Sequence, residues 1–252
     1  MTSWDVRAFA RALAAALVAL AVVWLVTAAS DEGQLTASAR AGRTLPLAPL
    51  CSAVGAALAL GTARVREETL ALEALGRSPL ENLRAAAMGA ALPSFIVAIV
   101  IALSARVDVS AFYPHAARSE VFVREGEAFT SPTLGVRVDD ATGEPHPLPG
   151  GSPDEGLPGG ARASAAIATA LAGLALALVA SRAVLRPGLL GPREARRRRA
   201  LAIAQGVGCA LASVIAFQAA AAKVAPAALA IAPPCALLAV FALRYRRARG
   251  DA

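Results

Sequence analysis

The residues best suited to catalysis or metal binding are few and scattered along the chain. Two histidines, His115 and His146, and three cysteines are the side chains that could act as ligands for a transition metal. The histidines lie far apart, and neither has a cysteine or an acidic pair nearby at ligand spacing. The cysteines fall in apolar stretches, and an odd number gives no disulfide framework. The sequence therefore predicts no metal site, no cofactor and no catalytic residue.

A polar segment over residues 64–81 has spacing that suggests a mechanical role. Glu67 and Glu68 suit the first turn of a short helix, because carboxylates are favoured at the positive end of the helix dipole. Gly76 suits the position just past the end of that helix, where φ is positive. Ser78 and Glu81 have the spacing of a capping box for a following helix, with Pro79 at its first position.

This pattern predicts a short amphipathic helix over residues 67–75, with Leu72 and Leu75 on one face. A short helix between two membrane-spanning helices can transmit force if it inserts into a groove on a cytoplasmic motor. The alternative is that the helix only lies on the membrane surface. The chain has no Gly-x-x-x-x-Gly-Lys loop, so a motor that binds ATP would be a separate protein.

The elements around this segment are strongly apolar. Hydrophobic residues make up 57% of the 252, and charged residues 17%, against about 25% charged in ordinary soluble domains. Six stretches of 19 to 23 residues contain no charged side chain, and about 20 apolar residues suffice to cross a bilayer as a helix. The sequence predicts an all-α integral membrane protein whose six helices cover about 10–29, 45–63, 84–105, 163–181, 200–220 and 225–243. The first stretch also resembles a cleavable signal peptide.

A hydrophilic insert over residues 106–161 divides these helices into two groups of three, so the chain has three parts: 1–105, 106–161 and 162–252. Residues 121–123 and 134–138 are rich in β-formers and predict strands. Residues 145–160 are rich in proline and glycine and predict a flexible tether. We therefore expect a small β-rich domain on the outer face, between helices three and four.

The arginines predict the orientation. With the N-terminus in the cytoplasm, 17 of the 25 basic residues fall in cytoplasmic segments, as the positive-inside rule requires. Both termini are then cytoplasmic. The run from Arg196 to Arg199 is interpreted as an anchor facing anionic lipid. No aromatic residues interleave with it for base stacking, so no nucleic-acid partner is predicted.

Residues 68–78 resemble the coupling helix of the LptF/LptG (YjgP/YjgQ) permeases, the lipopolysaccharide-export ABC permeases of the bacterial inner membrane. Matching positions are occupied by Glu68, Leu72, Ala74, Gly76 and Ser78. The three-plus-three topology is also similar, as are the proline-rich entry at 226–234 and the basic exit at 244–247 of the last helix. The insert, at about 55 residues, is much shorter than the family's periplasmic domain.

The resemblance implies a non-catalytic permease subunit in the inner membrane that exports a lipid or lipopolysaccharide-like amphiphile. Its partners would be a cytoplasmic LptB-like ABC ATPase dimer, a second six-helix permease subunit in a homo- or heterodimer, membrane lipid and a periplasmic bridge protein. The residues expected to contact the ATPase are Glu67, Glu68, Leu72, Glu73, Leu75, Gly76, Arg77 and Ser78. Arg40 and Arg43 are the candidates for contacting the phosphates of the substrate.

Two other functions remain open from the residues alone. One is an integral-membrane enzyme acting on lipid, although ionisable groups such as Asp108, His115 and Glu120 are scattered. The other is a non-catalytic scaffold in an envelope complex, with the insert as its contact surface.

Overall fold

In the computed structural model, the described residues are 2–30, 37–104, 107–113, 123–126, 128–131, 136–140, 143, 145–147, 157–185 and 192–250. They are mostly helical. The α-helices are α1 (Ser3–Ser30), α2 (Ala37–Thr44), α3 (Ala48–Leu60), α4 (Ala63–Ala74), α5 (Pro79–Leu103), α6 (Ala161–Leu185), α7 (Pro192–Ala221) and α8 (Ala232–Gly250). Short 3-10 segments cover Leu45–Leu47, Ser110–Phe112 and Ala227–Ile231. His115 and most of the predicted tether lie outside the described residues.

Five of the described helical stretches are long and apolar enough to cross a membrane. They are Ser3–Ser30, Arg40–Leu60, Pro79–Leu103, Ala161–Leu185 and Arg196–Ala221. This agrees with a multi-pass membrane protein, but the predicted count of six is not confirmed. The sixth stretch, Ala227–Leu243, is shorter. It consists of a 3-10 segment after Pro226 and the part of α8 that precedes Arg244.

Helices α1, α3, α5 and α6 pack closely through small residues. A Cβ atom on Gly55 of α3 would lie 2.6 Å from the Cβ of Ala16 on α1, and one on Gly89 of α5 would collide with the carbonyl oxygen of Phe9. A Cβ on Gly173 of α6 would collide with Ser94. Small residues let apolar helices approach until their backbones are in van der Waals contact. In the sequence, Gly55 with Ala59 and Gly206 with Ala210 have the small-xxx-small spacing that predicts such close packing. The prediction is confirmed for Gly55.

Gly206 of α7 does not mediate such a close approach. A Cβ on Gly206 of α7 would lie 3.5 Å from Leu176 Cδ2, an ordinary contact distance. Helix α7 therefore lies farther from the bundle along this part of its length.

The bundle has two distinct ends. At the first, which we call the α4 end, Trp4 of α1, Val65 of α4 and Ala85 of α5 belong to one buried cluster, and Leu185 of α6 packs against it. The guanidinium carbon of Arg182 lies 5.9 Å from the ring centroid of Phe241 on α8, so the last helix also runs to this end. The start of α1 and the later part of α8 therefore lie on the same side of the bundle.

At the opposite end, which we call the insert end, the chain leaves and re-enters the bundle around the hydrophilic insert. Tyr113 is fully buried there, its hydroxyl donates to the carbonyl oxygen of Ala161 at 2.8 Å, and burial raises the pKa of Tyr113 to about 12. Its ring meets that of Phe217 on α7 edge-on, with centroids 5.2 Å apart. Arg162 donates to the carbonyl oxygens of Ile101, Ser104 and Val107, which ties the start of α6 to the end of α5.

The described part of the insert contains a small antiparallel sheet. Its strands are β1 (Val123–Glu125), β2 (Ala128–Ser131), β3 (Val136–Asp139) and β4 (Pro145–Pro147), paired in chain order. In the register, Phe129 lies opposite Val138. The β-rich character predicted for the insert is confirmed for these residues. Of the first predicted strand, only Val123 falls within the described residues.

Candidate functional site

The segment predicted to couple to a motor is helix α4, which begins earlier than the sequence suggested. Thr62 has extended backbone angles and its side chain accepts a hydrogen bond from the amide of Val65 at 3.4 Å. This N-cap starts the helix at Ala63, so the prediction of a start at residue 67 was wrong. Glu67 and Glu68 consequently lie in the second turn, away from the positive end of the dipole.

The exit from α4 follows the sequence prediction closely. Gly76 has a φ of +89°, a backbone conformation that glycine adopts without steric cost. The amides of Gly76 and Arg77 donate to the carbonyl oxygens of Glu73 and Leu72, each at 3.0 Å. These bonds close the end of the helix and reverse the chain toward α5.

The next helix starts with the predicted capping box. The amide of Glu81 donates to Ser78 Oγ at 3.4 Å, and the amide of Ser78 donates to Glu81 Oε2 at 3.1 Å. Pro79 occupies the first turn of α5. The local structure predicted for residues 76–81 is therefore confirmed.

The inward side of α4 is not the predicted leucine face. Val65 and Thr69 are buried, and Leu72 packs against the cluster at this end of the bundle. Leu75 is 84% exposed. Leu72 therefore packs inward, whereas Leu75, the C-cap at the very end of α4, contributes nothing to that packing.

Two of the predicted motor contacts instead bind α4 to the start of α1. Glu68 accepts hydrogen bonds from Trp4 Nε1 at 3.2 Å and from Arg64 Nε at 3.1 Å. Arg77 forms a salt bridge with Asp5 in which both side chains are largely buried. The Arg77 guanidinium also lies 5.4 Å from the ring centroid of Trp4, at cation–π distance.

A third predicted contact, Glu73, faces α5. Its Oε1 accepts a hydrogen bond from Asn82 Nδ2 at 3.4 Å, and Asn82 is fully buried. We call the side chains that hold α4 in this way the α4 clamp. Its members are Trp4, Asp5, Glu68, Glu73, Arg77 and Asn82.

Sequence reasoning missed the part of the clamp that α1 contributes. Trp4 and Asp5 precede the first apolar stretch by several residues and were assigned no role. One signal was available, since Asp5 is the single acidic residue before Asp31. A carboxylate that close to an apolar helix needs a partner.

Three further predicted contacts, Glu67, Leu75 and Gly76, lie on the opposite, exposed side of α4, whereas Ser78 caps α5. We call this exposed side the outward surface; its members are Glu67, Leu70, Ala71, Ala74, Leu75 and Gly76. It combines aliphatic side chains with one carboxylate. In a structure without a membrane or a partner, this is the side of α4 that remains available for contact.

Arg40 and Arg43, predicted to contact the substrate, lie at the insert end in helix α2. The Arg40 guanidinium carbon lies 5.9 Å from the ring centroid of Trp24, and Arg43 is exposed. The structure therefore separates these arginines from α4 by the length of the bundle. They and α4 cannot contact the same small ligand.

Among the described residues, no group of three or more histidine, cysteine or acidic side chains is placed to hold a metal ion. Of the three cysteines, Cys51 and Cys209 are buried and Cys235 is exposed. No family model matches the chain, and neither curated proteins nor solved structures show a significant match to it. The resemblance to the LptF/LptG permeases therefore remains an expectation drawn from the sequence.

Proposed function

We propose that this chain is the transmembrane permease subunit of an ABC-type transporter that moves a lipid or lipopolysaccharide-like amphiphile out of the bacterial inner membrane. The observation that supports this most directly is the asymmetry of α4. Its inward side is held by the α4 clamp, and its outward surface is bare. A helix that only rested on a membrane would have no need of a buried ion pair to fix its orientation.

The clamp gives α4 the stiffness that a coupling element needs. A displacement of α4 passes to α1 through the Arg77–Asp5 pair, and to α5 through Glu73 and Asn82. Removing one partner from a buried ion pair costs several kcal/mol, about 3–5, so the clamp resists local bending. The motor is a separate ABC ATPase dimer in the cytoplasm, and a second six-helix subunit completes the transporter.

Features of the insert end support the proposal that the cargo is an amphiphile. An apolar cavity of about 240 Å³ lies between α3, α6 and α7, with Leu50, Phe112 and Phe217 among its lining residues. Arg43 lies in the helix that leads into α3 at this same end. Arg43 is not among the lining residues of the cavity. An apolar cavity with a cationic group at the same end of the bundle suits an amphiphile with an anionic head.

The test is co-purification and ATP hydrolysis with candidate ABC ATPases from the same genome. Leu75→Asp places a charge on the outward surface without touching the clamp. We expect it to weaken ATPase binding about tenfold or more, which corresponds to about 1.4 kcal/mol. Val224→Asp is the matched control, because Val224 is 83% exposed at the insert end and should leave binding unchanged.

Glu68→Lys distinguishes contact of α4 with the ATPase from the support that α1 gives to α4. Glu68 holds α4 from the inward side, so its replacement should lower both ATPase binding and the thermal stability of the purified chain. Leu75→Asp should lower binding alone. Full ATPase binding and full ATP hydrolysis by Leu75→Asp, in a chain that purifies normally, would overturn the proposal.

A further inference from the structure

A second cavity lies between α6, α7 and α8 at the α4 end, and its chemistry differs from that of the apolar cavity. Its volume is about 380 Å³. The charged residues in its lining are Arg182, Arg197, Arg198 and Glu194, so two positive charges are in excess. Gln205 adds an uncharged polar side chain, and the rest of the lining is apolar.

The cavity exists because α7 leaves the bundle toward this end. In the second half of α7, Cys209, Ala216 and Ala220 are buried. From Arg196 to Gly208 none of the described side chains is buried.

Two contacts preorganise the arginines. Arg198 Nε donates to Glu194 Oε1 at 3.0 Å, which uses one of the five N–H groups of that guanidinium. The Arg182 guanidinium carbon lies 5.9 Å from the ring centroid of Phe241, within cation–π range. Both contacts restrict side-chain rotation, so less conformational entropy is lost when an anion binds.

The position of the cavity along the helices is that of a membrane interface. The apolar stretch of α7 starts at Arg196, and that of α6 ends at Leu185. Leu201 lies three residues beyond Arg198, about 4.5 Å farther along the helix axis. Leu201, Leu237 and Val240 therefore form an apolar wall on the bilayer side of the arginines.

We infer that this cavity binds the phosphate headgroup of an anionic phospholipid, with the first part of its acyl chains along the apolar wall. Guanidinium groups bind phosphate with charge-assisted, often bidentate hydrogen bonds. Basic pockets between spanning helices are suited to such headgroups. A free phosphate would use the arginines but would gain nothing from the wall. This inference does not depend on the permease proposal.

The experiment uses the full chain in zwitterionic detergent and counts bound lipids by native mass spectrometry during titration with phosphatidylglycerol. Arg197→Gln/Arg198→Gln removes two cavity arginines. Arg196→Gln/Arg199→Gln removes the same charge from the same helix, at exposed positions outside the cavity lining. We expect the first double variant to bind phosphatidylglycerol about thirtyfold more weakly than the second, since each of its two basic side chains near an anionic lipid contributes about 1 kcal/mol.

Two further measurements distinguish the phosphate of a lipid headgroup from a free phosphate. Leu237→Gln should weaken phosphatidylglycerol binding, because it places a polar group on the apolar wall. Glycerol phosphate and inorganic phosphate, at the same concentrations, should not compete measurably. Equal losses in the two arginine variants would mean that only overall surface charge matters, and competition by free phosphate would mean a soluble anion site. Either result would overturn the inference.

Discussion

Helices α1 and α7 are both long and apolar, yet in each the fully buried residues lie mainly along one half, and the halves are opposite. Helix α1 is buried at the α4 end, where Ala8, Ala12 and Ala16 face the bundle, and its later residues such as Leu25 are exposed. Helix α7 is buried at the insert end through residues such as Ala216 and exposed at the α4 end. The comparison teaches that hydropathy selects helices for the membrane, while the placement of small residues decides where they meet.

The consequences of the two exposed halves differ. The exposed half of α1 carries no charged side chain and includes exposed Val18, Val22 and Leu25, so lipid tails or another spanning helix can cover it. The free half of α7 starts with four consecutive arginines and forms a cationic cavity against α6 and α8. The exposed half of α1 is therefore an apolar surface, whereas the exposed half of α7 forms part of an anion site.

The largest expected difference concerns the first turns of the two helices, each of which carries one carboxylate bound to an arginine. Asp5 pairs with Arg77, and both side chains are largely buried. Glu194 pairs with Arg198, and both are about half exposed. Asp5→Ala should lower the free energy of unfolding by about 3 kcal/mol, because it leaves the largely buried guanidinium of Arg77 without its carboxylate partner.

Glu194→Ala is the matched substitution on α7, and it should cost no more than about 0.5 kcal/mol. Denaturant unfolding in mixed micelles measures both. Equal losses in the two variants would show that the pair on α1 contributes nothing beyond a surface pair, and the clamp would lose its physical basis.

A smaller effect is expected from replacing one glycine by alanine where α5 packs against α1, and one glycine by alanine on α7. In Gly89→Ala the new Cβ would meet the backbone carbonyl of Phe9 on α1, so α1 has to move. We expect a loss of about 2 kcal/mol, typical of overpacking, visible as a lower thermal transition.

Gly208→Ala on the free half of α7 is the control. A Cβ there meets no atom within 4 Å, and alanine is the better helix former by about 1 kcal/mol. The two substitutions should therefore have opposite signs. A destabilising Gly208→Ala would indicate that the first half of α7 packs against the bundle after all.

The smallest effect concerns the docked half of α7. Phe217→Leu removes the ring contacts with Phe112 and Tyr113, each aromatic pair being worth about 1 kcal/mol. Loosening α7 should raise the maleimide labelling rate of Cys209, which is buried on α7. The rate at Cys51, buried on α3, is the internal control and should not change. Parallel increases at both cysteines would mean that the whole bundle loosens and that α7 has no independent attachment.

Much of the local structure followed from the sequence because it depends on near neighbours along the chain. The capping box at Ser78 and Glu81 and the positive φ of Gly76 were predictable, since each is set by residues within one helical turn. The start of α4 was missed because Thr62, its N-cap, directly follows an apolar stretch and was assigned to the preceding helix.

What the sequence by itself determined is the five long apolar helices and the turn that leads into α5, since backbone pairing in an apolar medium depends only on local composition. The tertiary structure alone decided which side of α4 faces outward, that Glu68 and Arg77 hold α1, and that α7 diverges to form an arginine-lined cavity. These features join residues far apart in the chain. Their energies depend on distance and burial in three dimensions, and no periodicity in a single sequence records either quantity.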